Sequence, residues 1–265
     1  MPSGRRKWVA SLQAATPPTM VVVGTVLAWE AFCRIVQIRD FVLPAPSLVA
    51  WQFWRNLPVY LDHTWVTVQE ILVGFVVGSI LGLLMAVAVV QSRTLQRGFY
   101  PLLVLFQTVP KAAIAPLLIL WFGYGILPKV VLVAILAFFP VTVDGILGLT
   151  SIEHTLIDLL RSVSASRWQI LRKIQMPHAL PHIFAGLRVG STLAVIGAIL
   201  AEWVGANAGL GYMIMSAGAE LKMDRMFAAI LMASVLGVGL FYAVALAERW
   251  LLPWHQTVDL DKAFG

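Results

Sequence analysis

Apolar runs long enough to cross a bilayer recur through this chain, at about 19–36, 67–90, 100–122, 127–149, 186–206 and 227–252. A hydrocarbon core about 30 Å thick takes roughly 20 apolar residues as a helix, and backbone polar groups inside it must be satisfied internally. The expected fold is therefore an all-α integral membrane protein of about six transmembrane helices. Composition agrees: 60% of residues are hydrophobic and 12% charged, against roughly 25% charged in soluble domains, and mean hydropathy is +0.85. Membrane lipid is an expected partner. Nucleic acid is not, because the net charge of +6 is spread through loops and forms no dense basic patch. The single cysteine, Cys33, allows no internal disulfide and no cysteine-based metal site.

The start, MPSGRRKW, is basic and precedes an apolar run without a small-residue cleavage site, so it reads as the flank of a retained first span. Orientation follows from lysine and arginine. An inside N-terminus puts Arg5, Arg6, Lys7, Arg93, Arg97, Arg161, Arg167, Arg172, Lys173, Arg188, Arg249 and Lys262 inside. It leaves Arg34, Arg39, Arg55, Lys129, Lys222 and Arg225 outside, with Lys111 within a span. The expected organisation is a cytoplasmic segment 1–18, one transmembrane domain 19–252 with a cytoplasmic loop 150–185, and a cytoplasmic tail 253–265. The segment 37–64, with FVLPAPSL and NLP, is broken by proline and expected outside, with a short helix at about 46–56.

Gly74, Gly78 and Gly82 recur every fourth position in the second span, a flat stripe that admits a neighbouring helix closely; Gly186 and Gly190 repeat the device in the fifth. Small residues pack helices in most membrane proteins, so these argue for a bundle and for no particular activity.

The chain has no G-x-x-x-x-G-K-[ST] phosphate loop, no H-E-x-x-H and no G-x-S-x-G elbow. His178 and His182 are four apart with Pro181 between them and no third ligand in view, so neither a metal site nor a catalytic residue is expected. Ionisable groups within spans face a partner or a wet cavity, and four stand out: Glu70, Asp144, Lys111 and Glu202. Glu70 and Asp144 lie near span ends and reach an interface by that route. Lys111, in QTVPKAAIAP between Pro110 and Pro116, falls in a span expected to kink, with Glu202 as its counter-ion. Gln107, Lys111 and Glu202 are the candidate pathway residues; the alternative is that each only braces helices. Trp121 and Trp203 suit an interfacial aromatic belt.

The longest polar, helix-compatible stretch is DLLRSVSASRWQILRKIQMP, Asp158 to Pro177. Ser166 followed by Gln169 forms a capping box. Trp168, Leu171 and Ile174 then share a face, Arg172 and Lys173 turn to water, and Pro177 is expected to stop the helix. A first short helix, about 155–163, carries Leu156, Leu160 and Val163, and Ser164-Ala165-Ser166 is the bend. Such a helix–bend–helix is either a docking element for a soluble partner or an amphipathic loop on the lipid surface.

This stretch resembles the cytoplasmic pattern E-A-A-x3-G-x9-I-x-L-P of permease subunits in binding-protein-dependent ABC importers. The acidic position is Asp158, the alanines fall on Leu159 and Leu160, and the glycine on Ser164. Ile174, Met176 and Pro177 take the last three; only the isoleucine and proline are identical. LPAPS at 43–47, APLLILWFGYG at 115–125, FFPV at 138–141, ALPHIFAGLRVG at 179–190, AEW at 201–203 and GLGYMI at 209–214 resemble the nitrate/sulfonate/taurine-type permeases. The resemblance runs over about 40–250.

It implies the type I importer permease fold with a cytoplasmic coupling helix, in a bacterial inner membrane. It further implies a second permease copy, with a homodimer expected, two cytoplasmic ABC ATPase subunits, and a periplasmic or lipid-anchored substrate-binding protein. ATP and Mg would be held by the ATPase, with no cofactor in this chain. The residues implied in ATPase coupling are Asp158, Leu160, Ser164, Ala165, Ser166, Trp168, Ile174, Met176 and Pro177. Cargo in such a family covers small oxyanions, organosulfonates, and heteroaromatic or aromatic compounds. The competing class is an ion- or proton-coupled secondary transporter, which would show inverted repeats or paired broken helices; only the third span is clearly broken.

Overall fold

The computed structural model describes residues 4–92, 94–98, 105 and 108–253. Its helices are α1 (Gly4–Ile35), α2 (Pro46–Arg55), α3 (Leu57–Gln91), α4 (Lys111–Phe122), α5 (Ile126–Thr150), α6 (His154–Ser162) and α7 (Arg167–Ile170). A π-helical turn at Leu171–Gln175 follows, then α8 (Met176–Gly205), α9 (Leu210–Ala219) and α10 (Met223–Leu251). Four helical stretches among the described residues are long and apolar enough to cross a membrane: Leu57–Gln91, Ile126–Thr150, Arg167–Gly205 and Met223–Leu251.

α3, α5 and α8 form the centre of the bundle. The glycine stripe of α3 lies against α5: a Cβ on Gly78 would collide with the backbone of Ala134, and one on Gly74 with Val133. The Thr142 hydroxyl approaches the Gly82 carbonyl at 3.2 Å, which close packing alone permits. Gly186 and Gly190 of α8 meet α5 at Pro140–Val141 and Ala137. Between these backbones Ile71, Phe75, Val133, Ala137, Phe184, Ala194 and Ala198 make the core. α10 and α9 pack on α8, and α4 packs on α5 and α8.

Several boundaries differ from expectation. The first run lies in one helix, α1, which begins at Gly4, with no break at 18. Glu30 and Arg34 near its end pair at 2.6 Å, and Glu30 also accepts from the Ser47 amide and hydroxyl, tying α1 to the start of α2. The short helix in the 37–64 segment is present as α2, but residues 57–64 are already helix: Pro58 stands in the first turn of α3, where no amide is needed. The described part of the 100–122 run forms a helix only from Lys111, with Pro116 inside it; Gln107 lies outside the described residues, as does the tail beyond 253.

The largest correction concerns Pro177. It does not end the helix. The chain is helical from Arg167 through to Gly205, with the π turn absorbing the proline. Pro177 has no N–H to close a bond to the Lys173 carbonyl, and the backbone widens ahead of it, where the Met176 N–H bonds the Leu171 carbonyl five residues back.

Candidate functional site

Two constellations carry the polar chemistry of the bundle, and α7–α8 joins them. The first is the 154–177 segment. α6, the bend and α7 form as the sequence requires, with both arms of the capping box in place: the Ser166 hydroxyl accepts from the Gln169 N–H at 3.2 Å and the Gln169 side chain accepts from the Ser166 N–H at 2.8 Å. Ser164 sits at φ +62°, the left-handed region that suits glycine. The Ala165 N–H returns to the Leu160 carbonyl at 3.0 Å and closes the bend.

The apolar face divides differently from the Trp168–Leu171–Ile174 expectation. Ile170, Leu171 and Gln175 are buried, while Ile174 and Met176 are half-buried. Met176 packs near Ala86 and Leu149, and Gln175 donates to the Leu149 carbonyl at 3.3 Å. Trp168 is 66% exposed, and Leu156 and Leu159 of α6 and Val163 at its end are exposed as well. Asp158 faces water and pairs with Arg161 at 3.3 Å. Leu160 and Ala165 are half-buried, and Pro177 is exposed. Anchoring residues thus point into the bundle, and an apolar surface of Leu156, Leu159, Val163 and Trp168 points out of it.

The second constellation is buried where α3, α5, α8 and α9 meet. Glu202 on α8 is 1% exposed. One of its oxygens accepts from the Thr67 hydroxyl at 2.7 Å and the other from the Gly211 N–H at 2.5 Å. Thr67 in turn accepts from the Leu210 N–H at 2.8 Å, and His63 Nδ1 accepts from the Gly209 N–H at 3.0 Å. Three successive amides at the start of α9 are thereby held by side chains of α3 and α8, which answers the unpaired donors of a helix start. Gly209, at φ +118°, has the Glu202 carboxyl where a Cβ would go. Beside Glu202, Glu70 bonds Lys129 Nζ at 2.5 Å, both side chains buried, and the two carboxyls adjoin.

Glu202 therefore serves the α9 start and Glu70, not Lys111 as expected. Lys111 is half-buried in the first turn of α4. Glu70 does not reach an interface, and Lys129 does not face water. A signal that Glu70 faces inward was present: His63, Thr67, Glu70, Gly74 and Gly78 follow one another at spacings of four, three, four and four, extending the glycine stripe toward the start of α3. A second ion pair, buried Glu248 with half-buried Arg188 at 3.5 Å, ties α10 to α8.

Residues 78–253 match the family described as binding-protein-dependent transport system inner membrane component. The chain belongs to that family. It is 34% identical over 243 residues, 91% of this chain and 97% of the other, to the formylaminopyrimidine transport permease protein ThiX of Halalkalibacterium halodurans. It is 31% identical over 269 residues, 96% and 94% of the two chains, to the taurine transport system permease protein TauC of Escherichia coli. In fold it resembles a chain of the MetNI methionine ABC transporter in an inward-facing conformation, with a TM-score of 0.64 at 21% identity, covering 74% of this chain and 97% of that one. The expected family and fold class hold. As a binding-protein-dependent permease, the chain is the transmembrane subunit of an ATP-binding-cassette importer.

Proposed function

We propose that this permease couples ATP hydrolysis on separate cytoplasmic subunits to solute movement through the 154–168 segment. The observation that carries the reading is the exposed apolar surface of Leu156, Leu159, Val163 and Trp168, on a bend whose conformation the Ser166–Gln169 box fixes. A fixed apolar projection between two membrane-spanning stretches suits a groove on a soluble partner. ATP and Mg would reside in that partner. Both termini and this segment then lie in the cytoplasm of a bacterial inner membrane, and the His63–Glu202 end of the bundle faces an external binding protein.

The assembly is two ATPases and two copies of this chain. Closure of the ATPase pair draws the two docking segments together. Each segment is continuous with the membrane rod α7–α8, so the bundles rock between inward and outward openings. No group of this chain forms or breaks a bond; it supplies a lever and a bundle with two packings. Asp158, Leu160, Ser164, Ala165, Ser166 and Trp168 shape the lever's tip, and Ile174, Met176 and Pro177 its junction with the bundle. The relatives' names direct the cargo screen to pyrimidine-like heteroaromatics and organosulfonates.

The test is a pull-down of the tagged permease from mild detergent with the neighbouring ATPase co-expressed. Stoichiometric ATPase on wild type and its loss from Ala165→Asp, with the variant still monodisperse, supports the reading. Equal retention by both overturns it.

A further inference from the structure

The docking segment has a second, polar side that the ATPase reading does not use. Between the end of α3 and the α6–α7 elbow lies a cleft of about 440 Å³. Arg161, Arg167, Ser92, Gln91 and Gln175 line it, with Ile157 and Ile170 among its apolar walls. We infer that this cleft is an anion site for a phosphate group.

The donors in the cleft are available to a ligand. Arg161 places one nitrogen 3.3 Å from Asp158, the acidic group facing it, and has further guanidinium N–H groups. Arg167 makes no ion pair among the described residues. The Ser92 hydroxyl accepts from the Leu95 N–H at 3.4 Å, so its own proton is left for an acceptor. Gln175 uses one amide proton on the Leu149 carbonyl and keeps another. Two guanidinium groups, a hydroxyl proton and amide protons around one cleft match a tetrahedral oxyanion, which arginine binds through paired, charge-assisted hydrogen bonds. Among the described residues no carboxylate lines the cleft, and Asp158 meets it only through Arg161.

Its position selects the source of that phosphate. The cleft lies where α3, a helix of membrane-spanning length, ends and the 154–175 segment begins, which the proposed orientation puts at the cytoplasmic face. Anionic headgroups concentrate on the cytoplasmic leaflet and attract basic juxtamembrane segments. An acidic phospholipid would place its phosphate between the arginines and its glycerol against Ile157 and Ile170. A free phosphate compound would use the same donors without the apolar wall. Bound there, the anion bridges the end of α3 to α6 and α7, and sets the stiffness of the docking element from behind.

The experiment is native mass spectrometry of the delipidated full-length permease, titrated with phosphatidylglycerol, with phosphatidylethanolamine as control, and separately with inorganic phosphate as competitor. Wild type is expected to retain one phosphatidylglycerol per chain, and Arg161→Gln/Arg167→Gln to bind it about tenfold or more weakly. Competition by phosphate shows that the phosphate group alone is recognised; loss in the variant without such competition identifies the lipid as the source. Arg172→Gln/Lys173→Gln removes equal charge outside the cleft and is expected to bind as wild type does. Equal weakening in both double variants, or no saturable binding of lipid or phosphate to wild type, overturns the site.

Discussion

Trp168 and Glu202 stand at opposite ends of one helical rod, the 39-residue stretch Arg167–Gly205. At 1.5 Å per residue they are roughly 50 Å apart. One is an exposed aromatic on the 154–168 segment. The other is a buried carboxylate that holds the start of α9 against α3. A displacement applied at Trp168 therefore reaches the Glu202 network through a single helix, its π turn being the only departure from α geometry along the way.

The two ends respond oppositely to truncation. Trp168→Ala removes a side chain that is 66% exposed, so stability shifts by no more than about 0.5 kcal/mol, while binding-protein-stimulated ATPase activity of the assembled complex falls severalfold. Glu202→Ala leaves the Gly211 amide and Thr67 hydroxyl without acceptors and is expected to cost about 3 kcal/mol. Glu202→Gln costs less, because one oxygen still serves Thr67 while its amide opposes the Gly211 N–H. Thermal unfolding in detergent, read beside ATPase assays on the same preparations, separates these effects.

Lys129 and Glu70 are a buried pair, and breaking one partner leaves a charge in the interior. Lys129→Met is expected to lower stability by about 3–5 kcal/mol. The double variant Lys129→Met/Glu70→Leu recovers most of that loss, since two apolar side chains replace two charges. A double-mutant cycle by thermal unfolding checks it; additive losses would mean that the two groups do not stabilise each other.

What the sequence disclosed divides along contact range. Ser166 and Gln169 are three apart, and their box was legible from spacing alone. The glycine stripe of α3 was equally legible, because four-residue periodicity says which face is flat. Glu70 and Lys129 are 59 positions apart, and Thr67 and Glu202 are 135 apart; no local pattern states such pairings, so Glu202 was matched to a lysine where its partners are a hydroxyl and an amide. Pro177 misled for a different reason. A proline blocks one hydrogen bond, and helix termination is only one response to it. Here the long apolar continuation to Gly205 makes a widened turn cheaper than a break.

Ser164 holds φ +62° on an exposed bend where the permease pattern places glycine. An L-residue in that region carries about 1 kcal/mol of strain. Ser164→Gly is expected to keep full ATPase binding and to leave transport unchanged or raised. Ser164→Val adds branching to the strain, shifts the bend and weakens ATPase retention. Hydrogen exchange across 158–170 reads the difference: the amide of Ala165, bonded to Leu160, should keep its protection in the glycine variant and lose it with valine.

The π turn at Leu171–Gln175 absorbs a surplus residue between the docking surface and α8. One residue of α-helix turns the chain by 100°, and a π turn accommodates one residue more than an α turn over the same rise. Deleting Lys173, whose side chain is exposed, removes the surplus residue while leaving Ile170 and Leu171 in the chain. With the π turn relaxed to α geometry, α8 keeps its contacts with α3 and α5 and α7 keeps its direction, because the deleted residue is the one the wider turn absorbed. The expected result is a permease of near-native thermal stability whose ATPase still responds to loaded binding protein. Lys173→Ala is the control, since it removes the same side chain and leaves the residue count intact. Loss of stimulation in the deletion variant, with Lys173→Ala normal, would show that the widened turn itself takes part in coupling.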